Sequence, residues 1–496
     1  MKRILCWDDK FIEQSTDVSI LQHKPEKKNI ALYCDDVWEG VHNGYACIIK
    51  VGNTYRMYYR ATGGITQVDE TLSIKTTDCV CIAESLDGIH FKKPNVGLYT
   101  FNGSKDNNIV FCDEAQGVDN FSVYYDENPN CPADEKFKAL KHDKPTGARY
   151  STLHYYASAD GYSFRMIREL PILGCFDSYN LTFWDEATQQ YFLYFRHYHH
   201  PDGTEVTPKM GTDGINSLHD LRLAIKVSDV TDIRDVRVAT SKDFVNWDVH
   251  GYIRFEEGQQ DVSLYTNQVT KYFRDKSTFI GFPVRYVDRA NDKKSFEYMP
   301  LADRRAIVIQ KAGRTGTALT DCIIMTSQDG FLFNRRDDAF LTPGLENRYN
   351  WNYGNCYVAH GLIETEADDG RNTEISFYVG ENYRIKNVHF RRYTIRLDGF
   401  FSWYAHNAGG EIITKPFTWE EENMFANFAS SVRGGMKIFV LDENGSPIDG
   451  YESYTIFGDT TNRPIEFDKP LSALKGKKVK LKISLQDCHL YSLTFA

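Results

Sequence analysis

The chain has 496 residues and a formal net charge of −10 with no basic run. That excludes a nucleic-acid face, which needs clustered Lys and Arg, and no stretch approaches the roughly 20 apolar residues of a membrane span. Apolar residues at 42% and charged residues at 25% are ordinary for a globular protein, whereas 14% aromatics, with 31 Tyr and 31 Phe, point to a β-rich fold or a sugar-binding surface.

Residues 1–29 have low periodicity and are expected to be an arm packing on the domain that follows. Their start, MKRILCWDDKFIEQ, has neither a long apolar segment nor a small-residue cleavage site. The eleven cysteines are scattered singly, mostly inside apolar runs, as buried free thiols are. Together these lead to the expectation of a cytoplasmic protein.

From about residue 30 the chain becomes short strands broken by Gly, Asn and Asp turns, almost without helical periodicity. A Ser-x-Asp-Gly-x-x-aromatic pattern recurs, at Ser85/Asp87/Phe91, Ser158/Asp160/Phe164 and Ser327/Asp329/Phe333, with Phe244 in place of the Gly in the copy at Ser241/Asp243/Trp247 and a degenerate fifth copy at Asp398. Asp accepts hydrogen bonds within its own turn and the aromatic packs between sheets, so these aspartates read as turn formers. Each interval also holds two strand-like runs. In the third, FDSYNLTFWDEATQQYFLYFRHY at 176–198, residues 180–184 and 191–198 flank a polar turn. A small antiparallel sheet used five times is a propeller, expected over residues 30–402. Residues 403–496 carry no further copy and read as a β-sandwich. The fold class is therefore all-β.

The five turn copies, the aromatic hairpins and the C-terminal strands resemble the five-bladed propeller glycoside hydrolase superfamily, including families 32, 43, 117 and 130. They are most similar to bacterial family 32-like proteins. The resemblance implies carboxylates at one axial end acting on glycosidic bonds. This chain lacks the Asn-Asp-Pro-Asn-Gly block of family 32. Arg274-Asp275 lacks a following Pro, and there is no Glu-Cys motif, so roles do not transfer one to one.

If inner strands start at the active rim, second strands end there, because neighbours are antiparallel. Inner-strand starts supply Glu39, Asp119, Asn120, Asp177, Asn180, Tyr265, Asn267 and Arg348. Second-strand ends supply Arg60, Arg196, His197 and Arg285. Glycoside cleavage needs two carboxyl groups across the scissile bond. Glu39 and Asp177 are the expected pair, with Asp119 third. Arg60, Arg196 and Arg285 would make a cationic pocket that neutralises these carboxylates or binds an anionic sugar. Trp38, Tyr265, Trp351 and Tyr353 are candidates for sugar stacking. His197, His199 and His200 with Asp202 form the one His cluster, in a spacing that is not a zinc geometry. A loop from 201 to 216 follows it as a candidate lid.

The expected function is hydrolysis or transfer of a glycosyl unit from a small oligosaccharide. The alternatives are a carbohydrate-binding propeller without catalysis and a metal-dependent carbohydrate-active enzyme on the same axis. No cofactor or metal is predicted, although an axial divalent ion is conceivable. Neither nucleic acid nor membrane is an expected partner, and a homo-oligomer is left open.

Overall fold

A computed structural model describes residues 2–62, 67–68, 72–73, 78–113, 117–118, 120–142, 151–206, 232–257, 259, 261–312 and 314–496, with backbone alone at 67–68, 72–73, 311–312 and 314–315. The chain divides into two compact units. One comprises residues 27–368 and 376–394, and the other residues 1–26, 369–375 and 395–496.

The larger unit is a propeller arrangement of antiparallel sheets. The first sheet runs Gly44–Val51, Thr54–Ala61, Cys79–Ser85, Ile109–Cys112, and the second Ser122–Tyr125, Phe137–His142, Ser151–Ser158, Arg165–Gly174. The third runs Leu181–Asp185, Gln190–His199, Ile233–Ser241, Asp248–Tyr252. These three have the expected four-strand order. The fourth has seven strands and the fifth five, so the equal blades read from the repeat hold for only part of the ring. The last strand of the fifth sheet is Glu26–Tyr33, paired beyond His389–Arg396. Joining early and late chain in one sheet covers an edge that would otherwise invite pairing with another chain.

One edge strand of each sheet turns inward, and neighbours are tied across the axis. Ser122 Oγ donates to the Asn180 carbonyl at 2.5 Å, Ser178 Oγ to the Tyr265 carbonyl at 2.7 Å, and Ile48 N to the His360 carbonyl at 2.7 Å. Between sheets the spaces are filled by rings and aliphatics such as Phe111, Phe121, Tyr156, Phe192 and Phe279. All eleven cysteines are free.

The turn repeat has the expected chemistry. Asp243 Oδ1 accepts from Val245 N at 2.9 Å and Asn246 N at 2.8 Å, and Asp87, Asp160 and Asp329 do the same. Partial burial alone would raise the Asp243 carboxyl, but these donors hold it down at about 2. Gly330 sits at φ +78°, where a Cβ would come within 2.6 Å of the Tyr194 hydroxyl, so the Gly of the repeat is sterically required there. The fifth copy behaves differently. Asp398 is fully buried and takes hydrogen bonds from Arg3 at 2.5 Å and Ser492 at 2.7 Å.

Helices are present where periodicity was not read. Lys293–Phe296, Ala302–Ala312 and Arg314–Thr317 are inserted into the fourth sheet. In the smaller unit, Lys2–Leu5, Ile12–Thr16 and Ser19–Gln22 pair with Lys478–Phe495, Gly410–Thr414 and Phe401–Ala405. The expected N-terminal arm is therefore three strands of that unit. Its strands form one ten-stranded hydrogen-bonded network in which Met424–Asp442 pairs with Lys478–Phe495. The core of this unit includes Trp403, Trp419, Phe428, Leu481, Ile483 and Leu485.

Candidate active site

The rim where inner strands begin is built around the turn before Leu181–Asp185. Asn180 is buried, and its Nδ2 donates to the Phe176 and Ser178 carbonyls, both at 3.0 Å. Asn120, at φ +64°, donates to the same Phe176 carbonyl at 3.3 Å. The two amides clasp this turn, so their first role is to position Asp177. The Asp177 side chain is 52% exposed, and its Oδ2 lies 3.8 Å from Arg196 Nη2.

Arg196 is only 4% exposed. Its guanidinium lies 5.1 Å from the Tyr198 ring and 5.4 Å from the Tyr265 ring. Burial opposes its charge, but the neighbouring Tyr198, Asp177 and Tyr265 groups outweigh burial and hold it protonated. Arg234 faces Tyr198 directly across the Gln190–His199/Ile233–Ser241 pairing. Its guanidinium lies 4.4 Å from the Tyr286 ring, 5.5 Å from Tyr198 and 6.0 Å from Tyr265. Tyr265 is stacked between Tyr286 and Tyr357, with centroids at 5.9 and 5.7 Å, and its hydroxyl accepts from Tyr353 at 2.8 Å. Burial first, then Tyr265 and Tyr383, push the Tyr353 phenol well up, so it stays a neutral donor. One accessible carboxylate, two cations and a wall of tyrosines thus share one place.

Other expected residues are placed differently. Glu39 is fully buried. Its Oε1 accepts from Tyr59 at 2.5 Å, and its Oε2 accepts from Asp36 N at 2.9 Å and Lys93 Nζ at 2.8 Å. Burial raises its carboxyl against the opposing pull of Lys93, Tyr59 and the Asp36 amide. Asp35, Asp36 and Glu39 converge as metal ligands would, but Lys93 Nζ stands 2.8 Å from each of them, so the chain supplies the cation itself. Trp38 donates to Asn108 at 2.7 Å beside this cluster.

Arg285 grips Asp321 through two bonds of 2.8 and 2.6 Å, and Arg60 pairs with Asp78 at 3.4 Å. Of the three expected arginines, therefore, only Arg196 lacks a close carboxylate pairing of this kind among the described residues. His197 Nδ1 is shared between the Tyr252 hydroxyl and the Tyr198 carbonyl; burial, then Arg237, lowers it to about 4. His199 and His200 turn to Asp235 and Asp232, so the three imidazoles do not converge. Asn267 is buried and caps its own turn through Val269 N. Arg348 is exposed against Tyr349. Trp351 donates to the Gly344 carbonyl at 2.8 Å, and its own carbonyl is held by Arg305 at 2.6 Å. Asp119 and residues 207–216 of the candidate lid lie outside the described residues.

Arg234, Tyr198, Tyr357 and Lys93 escaped sequence reasoning. The signal for Arg234 was its register opposite Tyr198, which needs the third strand of the sheet to be aligned.

Asn43, Thr266, Gln268 and Tyr357 line a small cavity of about 10 Å³. The other end of the same inner strands opens into a cavity of about 640 Å³, lined among others by Tyr55, Tyr125, Trp184, Phe273 and Ile363. Charged groups there are paired, Lys271 with Asp185 at 2.8 Å and Lys276 with Glu127 at 3.5 Å.

No protein-family model matches the chain. No curated protein matches it either. Among solved structures it is similar to one described as a glycoside hydrolase, at 12% identity and a TM-score of 0.44, over 75% of this chain and 92% of that one. It is also similar to an N-acetylgalactosamine deacetylase from F. plautii in complex with blood group B trisaccharide, at 12% identity and TM-score 0.43, over 75% and 94%. A third is the Bombyx mori GH32 beta-fructofuranosidase, at 8% identity and TM-score 0.42, over 94% of each chain. At these identities and scores the likeness does not extend to substrate or to site residues.

Proposed function

We propose that this chain is a glycoside hydrolase of the five-bladed propeller type, working at the rim around Asp177 on a small oligosaccharide. The observation that carries this reading is the half-exposed Asp177 carboxylate, 3.8 Å from a buried guanidinium and beside the Tyr265 ring. Arg196 sets a positive charge beside that carboxylate, which favours the charged form that a nucleophile, base or transition-state stabiliser needs. Asp119, which the sequence alone puts among the candidates, is its proposed partner as acid. Glu39, with both oxygens taken, ties its own turn to Tyr59 of Thr54–Ala61 and to Lys93. Tyr265 and Tyr353 offer stacking surface and a phenol donor for sugar hydroxyls. The proposed sugar lies on the rim, against these rings. The eleven free thiols suit a reducing compartment, and a cytoplasmic setting is part of the proposal.

The test is a screen against aryl glycosides and aryl uronides. A substrate that is turned over by the wild type should lose about 10²–10⁴-fold in kcat with Asp177→Asn. Unchanged turnover in that variant refutes the assignment. The 640 Å³ cavity favours a second reading, a sugar bound at the far end without cleavage. In that case Phe273→Ala abolishes sugar binding, Asp177→Asn does not, and no aryl glycoside is cleaved.

A further inference from the structure

We infer that Arg196 and Arg234 together form a slot for an anionic group, and that the sugar taken at this rim is a uronate. This rests on the rim being the site proposed above. Two guanidinium groups share the Tyr198 and Tyr265 rings within 5.1–6.0 Å. Cation–π contact steadies a charge but gives its N–H groups no acceptor. Arg196 and Arg234 each have a buried Nε with no hydrogen-bond partner among the described residues. The one ion pair either makes among those residues is the 3.8 Å approach of Arg196 to Asp177, beyond hydrogen-bond reach.

The contrast with the other rim arginines is direct. The difference lies in the carboxylate: Asp321 holds Arg285 through two bonds, with the Asp337 carbonyl at 2.7 Å, and Arg60 sits on Asp78, although a buried Nε without its own acceptor among the described residues occurs in Arg60 as well. Three acids near Arg234 have other partners: Asp235 faces His199, Asp232 faces His200, and Glu205 faces Arg237 at 2.8 Å, while Asp261 lies near Asp235 and His199. Arg196 has one carboxylate, at 3.8 Å, and Arg234 has none within ion-pair distance among the described residues. Buried donors without acceptors and a guanidinium without a carboxylate are unfavourable in the free protein, and a bound carboxylate relieves both. A planar carboxylate can take two parallel N–H bonds from a guanidinium. Asp177 stands next to the slot, so a uronate held there would bring its ring to the one accessible carboxylate.

The experiment compares binding of D-galacturonate, D-glucuronate, D-galactose and galactose 6-sulfate by titration calorimetry and saturation-transfer NMR. The wild type should prefer a uronate over the neutral sugar by on the order of tenfold or more, and the preference should fall as salt is raised. Arg234→Met should erase the preference, read as the ratio of uronate to galactose affinity in the folded variant. Arg234→Lys, which keeps the charge, should retain part of it. Equal binding of uronate and neutral sugar, or an unchanged preference in folded Arg234→Met, overturns the slot. Tighter binding of galactose 6-sulfate than of either uronate overturns the uronate assignment. These readouts do not depend on turnover. Uronate preference without cleavage of any aryl glycoside would sink the hydrolase and keep the slot, whereas cleavage without preference would sink the slot alone.

Discussion

At the scale of single residues, burial separates the two expected catalytic carboxylates. Glu39 and Asp177 look alike in sequence, each beside an aromatic at a strand start. One is sealed under Lys93 and Tyr59, and the other is half open to solvent. Lys93 is the single ammonium that three carboxylates share, so Lys93→Met should cost about 3–5 kcal/mol, read as a lower melting temperature at neutral pH. The sign with pH follows from Glu39. Its folded carboxyl is raised above the unfolded value of about 4.3, so its contribution to stability is present below that value and is lost as pH rises through the folded one. Removing Lys93 raises it further. The deficit of the variant should therefore be largest near neutrality and shrink as pH falls below about 4; a deficit independent of pH would refute the role given to Lys93. Neither the burial nor Lys93 was legible in the sequence, because Lys93 lies 54 residues away and meets Glu39 only after the first sheet has formed.

At the scale of elements, local chemistry was legible and long-range chemistry was not. The Ser-x-Asp-Gly turns were readable because donor and acceptor lie two or three residues apart. The hairpin Leu181–Asp185/Gln190–His199 was readable from alternation and its turn. The helix Ala302–Ala312 was missed inside a run of strands, yet it supplies the clamp on a rim loop. Arg305 donates to the carbonyls of Pro300 at 2.9 Å, Asn350 at 2.8 Å and Trp351 at 2.6 Å, and to Asn352 Oδ1 at 3.0 Å. Arg305→Ala should leave those acceptors unserved, at about 1–3 kcal/mol locally. The expected outcome is faster amide exchange across 350–355 and weaker sugar binding, with a small change in melting temperature. Exchange that stays at the wild-type rate would show that the loop holds itself.

At the scale of the whole molecule, the larger unit depends on Glu26–Tyr33 completing the fifth sheet beside His389–Arg396. Leu32 in that strand is 4% exposed. Leu32→Pro removes a strand N–H and a buried side chain and bares a sheet edge, so it should destabilise by about 3 kcal/mol or more and aggregate on light scattering. A monodisperse variant with unchanged melting would mean that this strand is dispensable. The sequence by itself determined an all-β chain with repeated turns, a propeller arrangement and a rim of candidate residues, because alternation, turn chemistry and period act over a few residues or repeat at fixed intervals. Only the tertiary structure decided which rim residues are available for chemistry. Glu39 found an ammonium, Arg285 and Arg60 found carboxylates at hydrogen-bond distance, and Arg196 and Arg234 were left on tyrosine rings. Those outcomes depend on register between strands and on partners from distant repeats, which set burial and charge balance, and no local pattern in the chain encodes either.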